Sequence, residues 1–217
     1  LEAPGLRSGS LFGNSLDADE STLAAGAYGH DHTAPGGGAV FVFKKQADGR
    51  FTYDDTLAPA RPKAFTEFGW SLDLSHDQMI VGAPFDDTPP YKAGAAYLFT
   101  RAGGVWQPGP VRLTAPERRN RDRFGGSVAL AGEGRVAART TSGVVHIYHR
   151  SPDGWAHGGR IMAGSATGRL PHNRALAAGG RLLALGVPDP EDGGQGRGAV
   201  FYWPENPSGK QPGQASR

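Results

Sequence analysis

The chain has no cysteine. That excludes disulfide staples, a thiolate nucleophile and cysteine-ligated zinc, and it leaves stability to packing alone. No hydrophobic run approaches the ~20 residues of a membrane-spanning helix, and no signal peptide is read in the sequence. Charge of one sign is lacking too: 23 Lys and Arg against 21 Asp and Glu leave a net +2, with a pI near 9.0. This argues against a dedicated nucleic-acid binder. Neither a Gly-x-Ser-x-Gly elbow nor a phosphate-binding glycine loop occurs, so no nucleophile is recognisable.

What the chain has in excess is glycine and proline, 34 and 17 of 217 residues, the supply that many tight turns need. It also repeats itself. One phrase returns as Gly38-Ala39-Val40-Phe41-Val42-Phe43, Gly94-Ala95-Ala96-Tyr97-Leu98-Phe99, Gly143-Val144-Val145-His146-Ile147-Tyr148 and Gly198-Ala199-Val200-Phe201-Tyr202-Trp203. A period of roughly fifty residues built from short apolar runs indicates a propeller or solenoid. The rest of the unit keeps register. Phe12-Gly13, Phe68-Gly69 and Phe124-Gly125 open three repeats, and His172-Asn173 opens a degenerate fourth. Eleven residues past the serine of the opening phrase come Gly26-Ala27-Tyr28, Gly82-Ala83-Pro84, Ala138-Arg139-Thr140 and, past Ala175, Gly186-Val187-Pro188. Outer segments end at Leu57, Leu113 and Ile161. Each unit reads as four antiparallel strands with tight turns.

The order Phe-Gly, Gly-Ala-Pro, Gly-Ala-Ala-Tyr-Leu-Phe resembles the FG-GAP repeat family, known from integrin alpha chains and bacterial extracellular proteins. The resemblance runs to about Trp203; blade three lacks Gly-Ala-Pro and blade four lacks Phe-Gly. It implies an all-β propeller, and the chain's own repeats give four four-stranded blades near 12–57, 68–113, 124–161 and 172–203, followed by a Pro/Gly-rich tail over 204–217. It also implies a secreted or cell-surface setting. The fold does not imply one activity. Leu1-Glu2-Ala3-Pro4 stands at the offset of an outer-strand end, so residues 1–4 are expected to complete the last blade and close the ring. A ring of two chains and a fragment of a longer propeller stay open, because seven blades are usual for the family.

Connections from the Gly-Ala-Pro strand to the aromatic strand have equal length in blades one, two and four and shrink to Thr140-Thr141-Ser142-Gly143 in blade three. Three long loops and a short one make a rim with a gap, a binding-cleft candidate. Its polar residues are His30, Asp31, His32, Asp86, Asp87, Tyr91, Lys92, Arg139, Asp189, Glu191 and Asp192. Asp31, Asp87 and Glu191 share one repeat position, and a divalent cation is a candidate ligand for His30, His32, Asp87 and Glu191. The bland reading has Asp86 and Asp189 capping their own turns. The calcium loop of integrin blades is read as absent, because turns such as Asp19-Glu20-Ser21-Thr22 are too short to wrap an ion. The basic run Glu117 to Arg123 reads as a solvated loop, with an anion site as its sharper alternative. His146 reads as a stand-in for an aromatic ring; Trp70, Trp106 and Trp155 read as blade packing.

Because the loops differ from blade to blade, one composite site fits better than four equivalent ones. The expected function is recognition of a protein, a carbohydrate or a small polar ligand. The alternative is an enzyme in which His30, Asp31, His32, Asp87, Glu191 and Arg139 act as acids and bases.

Overall fold

A computed structural model describes residues 1–87, 91–132, 134–162, 176–179, 182–187 and 197–202. These residues hold sixteen strands and no helix. Blade one comprises β1 (Phe12–Ala18), β2 (Thr22–Ala27), β3 (Ala39–Lys45) and β4 (Phe51–Leu57), paired antiparallel in chain order. Blade two comprises β5 (Ser71–Ser75), β6 (Gln78–Ala83), β7 (Ala95–Ala102), β8 (Val105–Trp106) and β9 (Val111–Leu113). Both β8 and β9 pair with β7. The break in this outer strand falls at Pro108-Gly109-Pro110, where proline has no N–H to give a ladder. Blade three comprises β10 (Ser127–Leu130), β11 (Arg135–Arg139), β12 (Val144–Ser151) and β13 (Gly154–Met162). The fourth sheet has three strands among the described residues: β14 (Leu176–Gly179), β15 (Leu182–Val187) and β16 (Arg197–Tyr202).

The first strands β1, β5, β10 and β14 stand beside one another in that order, a propeller-like arrangement. Apolar cores lie between the sheets. Val40, Val42 and Leu57 of blade one meet Phe68, Leu74, Met79 and Val81 of blade two. Ile80 and Leu98 of blade two meet Phe124, Val128 and Val136 of blade three, and Ile147 and Ile161 meet Leu183 and Leu185 of the fourth sheet. Each Phe of a Phe-Gly pair wedges against two rings of its own blade, edge-on except for the tilted Phe124–His146 pair. Phe12 does so with Phe41 and Phe43, Phe68 with Tyr97 and Phe99, and Phe124 with His146 and Tyr148 (centroids 5.6–6.2 Å). His146 is thus packed as the ring its position calls for.

The repeat motifs are joints between blades. Ser15 Oγ donates to the carbonyl of Gly69 (2.8 Å), and Ser71 Oγ to that of Gly125 (3.0 Å). A Cβ on Gly26 would lie 2.2 Å from the Gly69 oxygen, and one on Gly82 2.0 Å from the Gly125 oxygen. Glycine is required there because the next blade's turn rests on it. A second joint repeats beside it: the Leu74 amide donates to Asp17 (2.7 Å) and the Leu130 amide to Asp73 (2.6 Å).

Residues 1–11 carry no strand; Ala3 and Leu6 pack against the blade-one cluster of Ala25, Ala39, Phe41 and Phe43. One expectation changes. In blade three the register moves by one. Ser127 pairs with Arg139, whereas Ser71 pairs with Gly82, because the hairpin from Leu130 to its partner Val136 is a residue longer than that from Leu74 to Met79. Arg139, not Ala138, therefore occupies the position of the joint glycine.

Candidate functional site

The long loops dock on the segment that enters the next blade. The amides of Phe65, Glu67 and Phe68 donate to Pro35, Gly36 and Gly37 of loop one. Those of Arg121, Arg123 and Phe124 donate in the same way to Tyr91, Lys92 and Ala93 of loop two. This pairing uses left-handed backbone at Phe65, Glu67, Arg121 and Arg123 (φ 50–60°). It determines which side chains reach the rim.

Two acids of the rim, Asp31 and Asp87, are turned inward to their own loops. Asp31 Oδ1 accepts from the Gly36 amide (2.7 Å), and Asp87 Oδ1 from the Lys92 amide (2.9 Å), each closing a turn across five residues. Asp86, expected to cap a turn, is 2% exposed and forms a network instead. It accepts from the Tyr97 hydroxyl (2.6 Å) and from Arg112 Nε (3.1 Å), and its other oxygen forms an ion pair with Arg112 Nη2 (3.1 Å). Burial, then the Asp86 charge, push the Tyr97 phenol upward. Asp86 is therefore internal, because an arginine 26 residues away on β9 faces it.

His30 is 6% exposed, stacked on His32 (6.0 Å) and set against Phe41 (5.3 Å), with Nδ1 3.3 Å from Ser10 Oγ. Burial, then the neighbouring His32, lower its pKa. His32 is exposed. Among the described residues no three His, Asp or Glu side chains are grouped to hold a metal, so His30, His32 and Asp87 are not drawn into one centre. Asp189, Glu191 and Asp192 lie outside the described residues. Arg139 is 4% exposed, and its carbonyl accepts from the Gly125 amide (3.0 Å) at the position the joint glycine holds in the other blades. At the opposite face, Asp19 accepts from the Ser21 and Thr22 amides (2.8 Å each), so its turn is closed by its own backbone.

The structure assembles a different group on the loop face. Tyr28 packs on Trp70 (4.7 Å), and Trp70 meets Phe85 edge-on (5.9 Å). Lys92 Nζ lies 5.2 Å from the centroids of both Phe85 and Tyr91; the Arg123 guanidinium lies 4.5 Å from Phe85 and that of Arg121 5.8 Å from Tyr91. Aromatic faces attract such cations. Tyr91 is 47% exposed, while Tyr28, Trp70 and Phe85 are half-buried. Glu67 joins this group: burial raises its pKa, against the charges of Lys92 and Arg123. Tyr91 and Lys92 were read as site residues in the sequence, and an anion site was the sharper alternative for the run that holds Arg121 and Arg123; Trp70 and Phe85 were not read as site residues. For Arg121 and Arg123 the signal was their offset from Phe124, which places residues −3 and −1 over the preceding loop.

Residues 55–99 match the FG-GAP repeat family model, so the chain carries an FG-GAP repeat there. No curated protein sequence matches the chain. Among solved structures, one of the complex of KlAtg21 with the coiled-coil of AgAtg16 superposes with a TM-score of 0.55 at 12% identity, over 88% of this chain and 52% of the other. The chain thus spans about half the length of that protein, and the likeness concerns the fold alone. A putative 6-phosphogluconolactonase from Bacteroides uniformis gives a TM-score of 0.49 at 11% identity, over 93% of this chain and 70% of the other.

Proposed function

We propose that the protein is a recognition module that binds its partner at one composite site on the loop face, spanning blades one to three. The observation that supports this is the continuous row of half-exposed rings Tyr28, Trp70, Phe85 and Tyr91 crossing the joint between blades one and two. Ring surface of this kind carries much of the binding energy at recognition sites. Asp31 and Asp87 are bonded into their own turns and Asp86 into an internal ion pair, which at these three residues favours recognition over acid–base chemistry. FG-GAP repeats are typical of extracellular proteins, and we place the chain in that setting. Among the described residues no helix is long and apolar enough to cross a membrane. We read the four sheets as blades of one ring; light scattering that gives the mass of one chain supports this, and the mass of two replaces it with a shared ring.

The test is an array of extracellular proteins and glycans probed with the wild-type chain, Tyr91→Ser and a control on the opposite face, Lys44→Gln. Hits retained by the control and lost by Tyr91→Ser are expected. Hits indifferent to Tyr91→Ser, or lost with Lys44→Gln, overturn the reading.

A further inference from the structure

The backbone of the rim repeats from blade to blade, but the side chains placed on it do not. At the residue that docks just before the Phe of each Phe-Gly pair, the left-handed position is held by Leu11 (φ 54°), Glu67 (φ 54°) and Arg123 (φ 50°). Two residues earlier stand Gly9, Phe65 and Arg121, all with positive φ. Lys92 is more telling. Its amide donates to Asp87 as that of Gly36 donates to Asp31, and Gly36 has φ 55° where Lys92 has φ 49°. Blade one uses the residue such backbone favours; blade two carries a lysine at the same place, against a steric cost.

All three cations of the blade two/three rim thus occupy left-handed backbone and rest on adjoining rings. Lys92 shares Tyr91 with Arg121 and Phe85 with Arg123. A cation so held has lost much of its rotamer freedom before a ligand arrives, and guanidinium groups match carboxylate and sulfate in two-pronged geometry. The positive charge is local, since the whole chain carries only +2. The neighbouring Tyr28 and Trp70 add apolar ring surface next to this array. A ligand that alternates apolar ring faces with fixed anionic groups suits this arrangement: a sugar ring stacks while its substituent reaches the guanidinium groups. We propose that Lys92, Arg121 and Arg123, mounted on Phe85 and Tyr91, form a binding site for an acidic polysaccharide bearing carboxylates or sulfates. This inference rests on the loop-face reading above and names the ligand class for it. Glu67 sits among the same cations and opposes an anionic ligand, so it limits the affinity.

The probes are chondroitin sulfate and polygalacturonate, with neutral dextran, poly-glutamate and a single-stranded oligonucleotide as competitors in class, measured by calorimetry over a salt series. One or both acidic polysaccharides bind, dextran does not, and affinity falls steadily as salt rises. Arg121→Gln and Arg123→Gln each weaken binding about tenfold. Glu67→Gln tightens it about threefold, a gain that a merely structural residue would not give. Lys44→Gln leaves it unchanged. Equal binding of dextran, tighter binding of poly-glutamate or the oligonucleotide, or indifference to the arginine and Glu67 substitutions overturns the proposal. Array hits that need Tyr91 but are not acidic glycans remove the ligand class and leave the loop-face reading standing; acidic glycan binding lost with Lys44→Gln removes both.

Discussion

Replacing Asp73 by asparagine is expected to stabilise the protein at pH 8 and to change little at pH 5. Asp73 accepts from the Leu130 amide of the next blade (2.6 Å), and asparagine keeps that acceptor. Burial, then the neighbouring Asp17 carboxylate, push the Asp73 carboxyl up to about 7, against the Leu130 and Leu74 amides. A carboxyl raised in the folded state stabilises folding below its unfolded value near 3.8, and that stability is lost as pH rises through 7. The full shift corresponds to roughly 4 kcal/mol at about 1.4 kcal/mol per unit. Solvent still reaches part of the side chain, so about 1–2 kcal/mol is expected at pH 8. At about 2–4 °C per kcal/mol for a domain of this size, the melting temperature of Asp73→Asn should rise by about 2–8 °C at pH 8. The asparagine amide also offers Asp17 a donor that ionised Asp73 cannot. Thermal melts of both proteins from pH 5 to pH 8 check this. An Asp73→Asn melting temperature equal to or below that of wild type at pH 8, or an equal gain at both ends, refutes the reasoning.

Other outcomes follow from the same geometry. Asp86→Ala orphans the Tyr97 hydroxyl and Arg112, costing about 2–3 kcal/mol, a figure reduced because Arg112 is 30% exposed; urea titration measures it. Combining Asp86→His with Tyr97→Phe and Arg112→Thr installs the blade-one set His30, Phe41 and Thr56, and should recover most of that loss in the same titration. Lys92→Gly should be more stable than Lys92→Ala by about 1 kcal/mol, the reverse of the usual order, because φ is 49°; equal melting temperatures would refute it. Burial, then the charges of His157 and Arg160, depress His146 to about 4, so its contribution is intact above about 6.5 and lost as pH falls toward 4. His146→Phe should therefore show a smaller drop in melting temperature than wild type between pH 6.5 and 4.5.

The strands were legible because every apolar phrase recurs beside glycine and proline, and period-two patterns locate strands without knowledge of partners. Residues that act across the fold were not. Asp86 looks like a turn cap from Pro84-Phe85-Asp86-Asp87, and only the facing of β7 and β9 brings Arg112 to it. Trp70 was read as packing; it does pack, but on Tyr28 and Phe85 at the rim, where it stays half-exposed. The run Glu117 to Arg123 divides physically. Arg119 pairs with Glu117 in solvent (2.9 Å), while Arg121 and Arg123 are carried onto loop two by the docking of their amides. Charge counting along the sequence cannot separate the two halves, because the division is made by a neighbouring blade.

The two irregularities of the repeat are halves of one event. In the first two joints a glycine receives the carbonyl of the next blade's Phe-Gly turn so closely that a Cβ would sit 2.0–2.2 Å from that oxygen. In blade three this register position holds Arg139, buried, with its own carbonyl still accepting from the Gly125 amide (3.0 Å) as Gly82 does from Gly69. The sequence opens blade four with His172-Asn173 in place of a Phe-Gly pair. The second joint is missing at the same interface, since Ala129 replaces Asp17 and Asp73 and has no carboxylate to accept from the next strand. Loss of one half of such a joint removes the steric and hydrogen-bonding demand on the other half. Among the described residues, blades one to three are coupled by matching polar joints, and the fourth sheet meets blade three through the apolar contacts of Ile147 and Ile161 with Leu183 and Leu185. That division places the aromatic and cationic rim of blades one to three on the part of the fold whose geometry is most tightly specified, which is where a recognition surface gains most from rigidity.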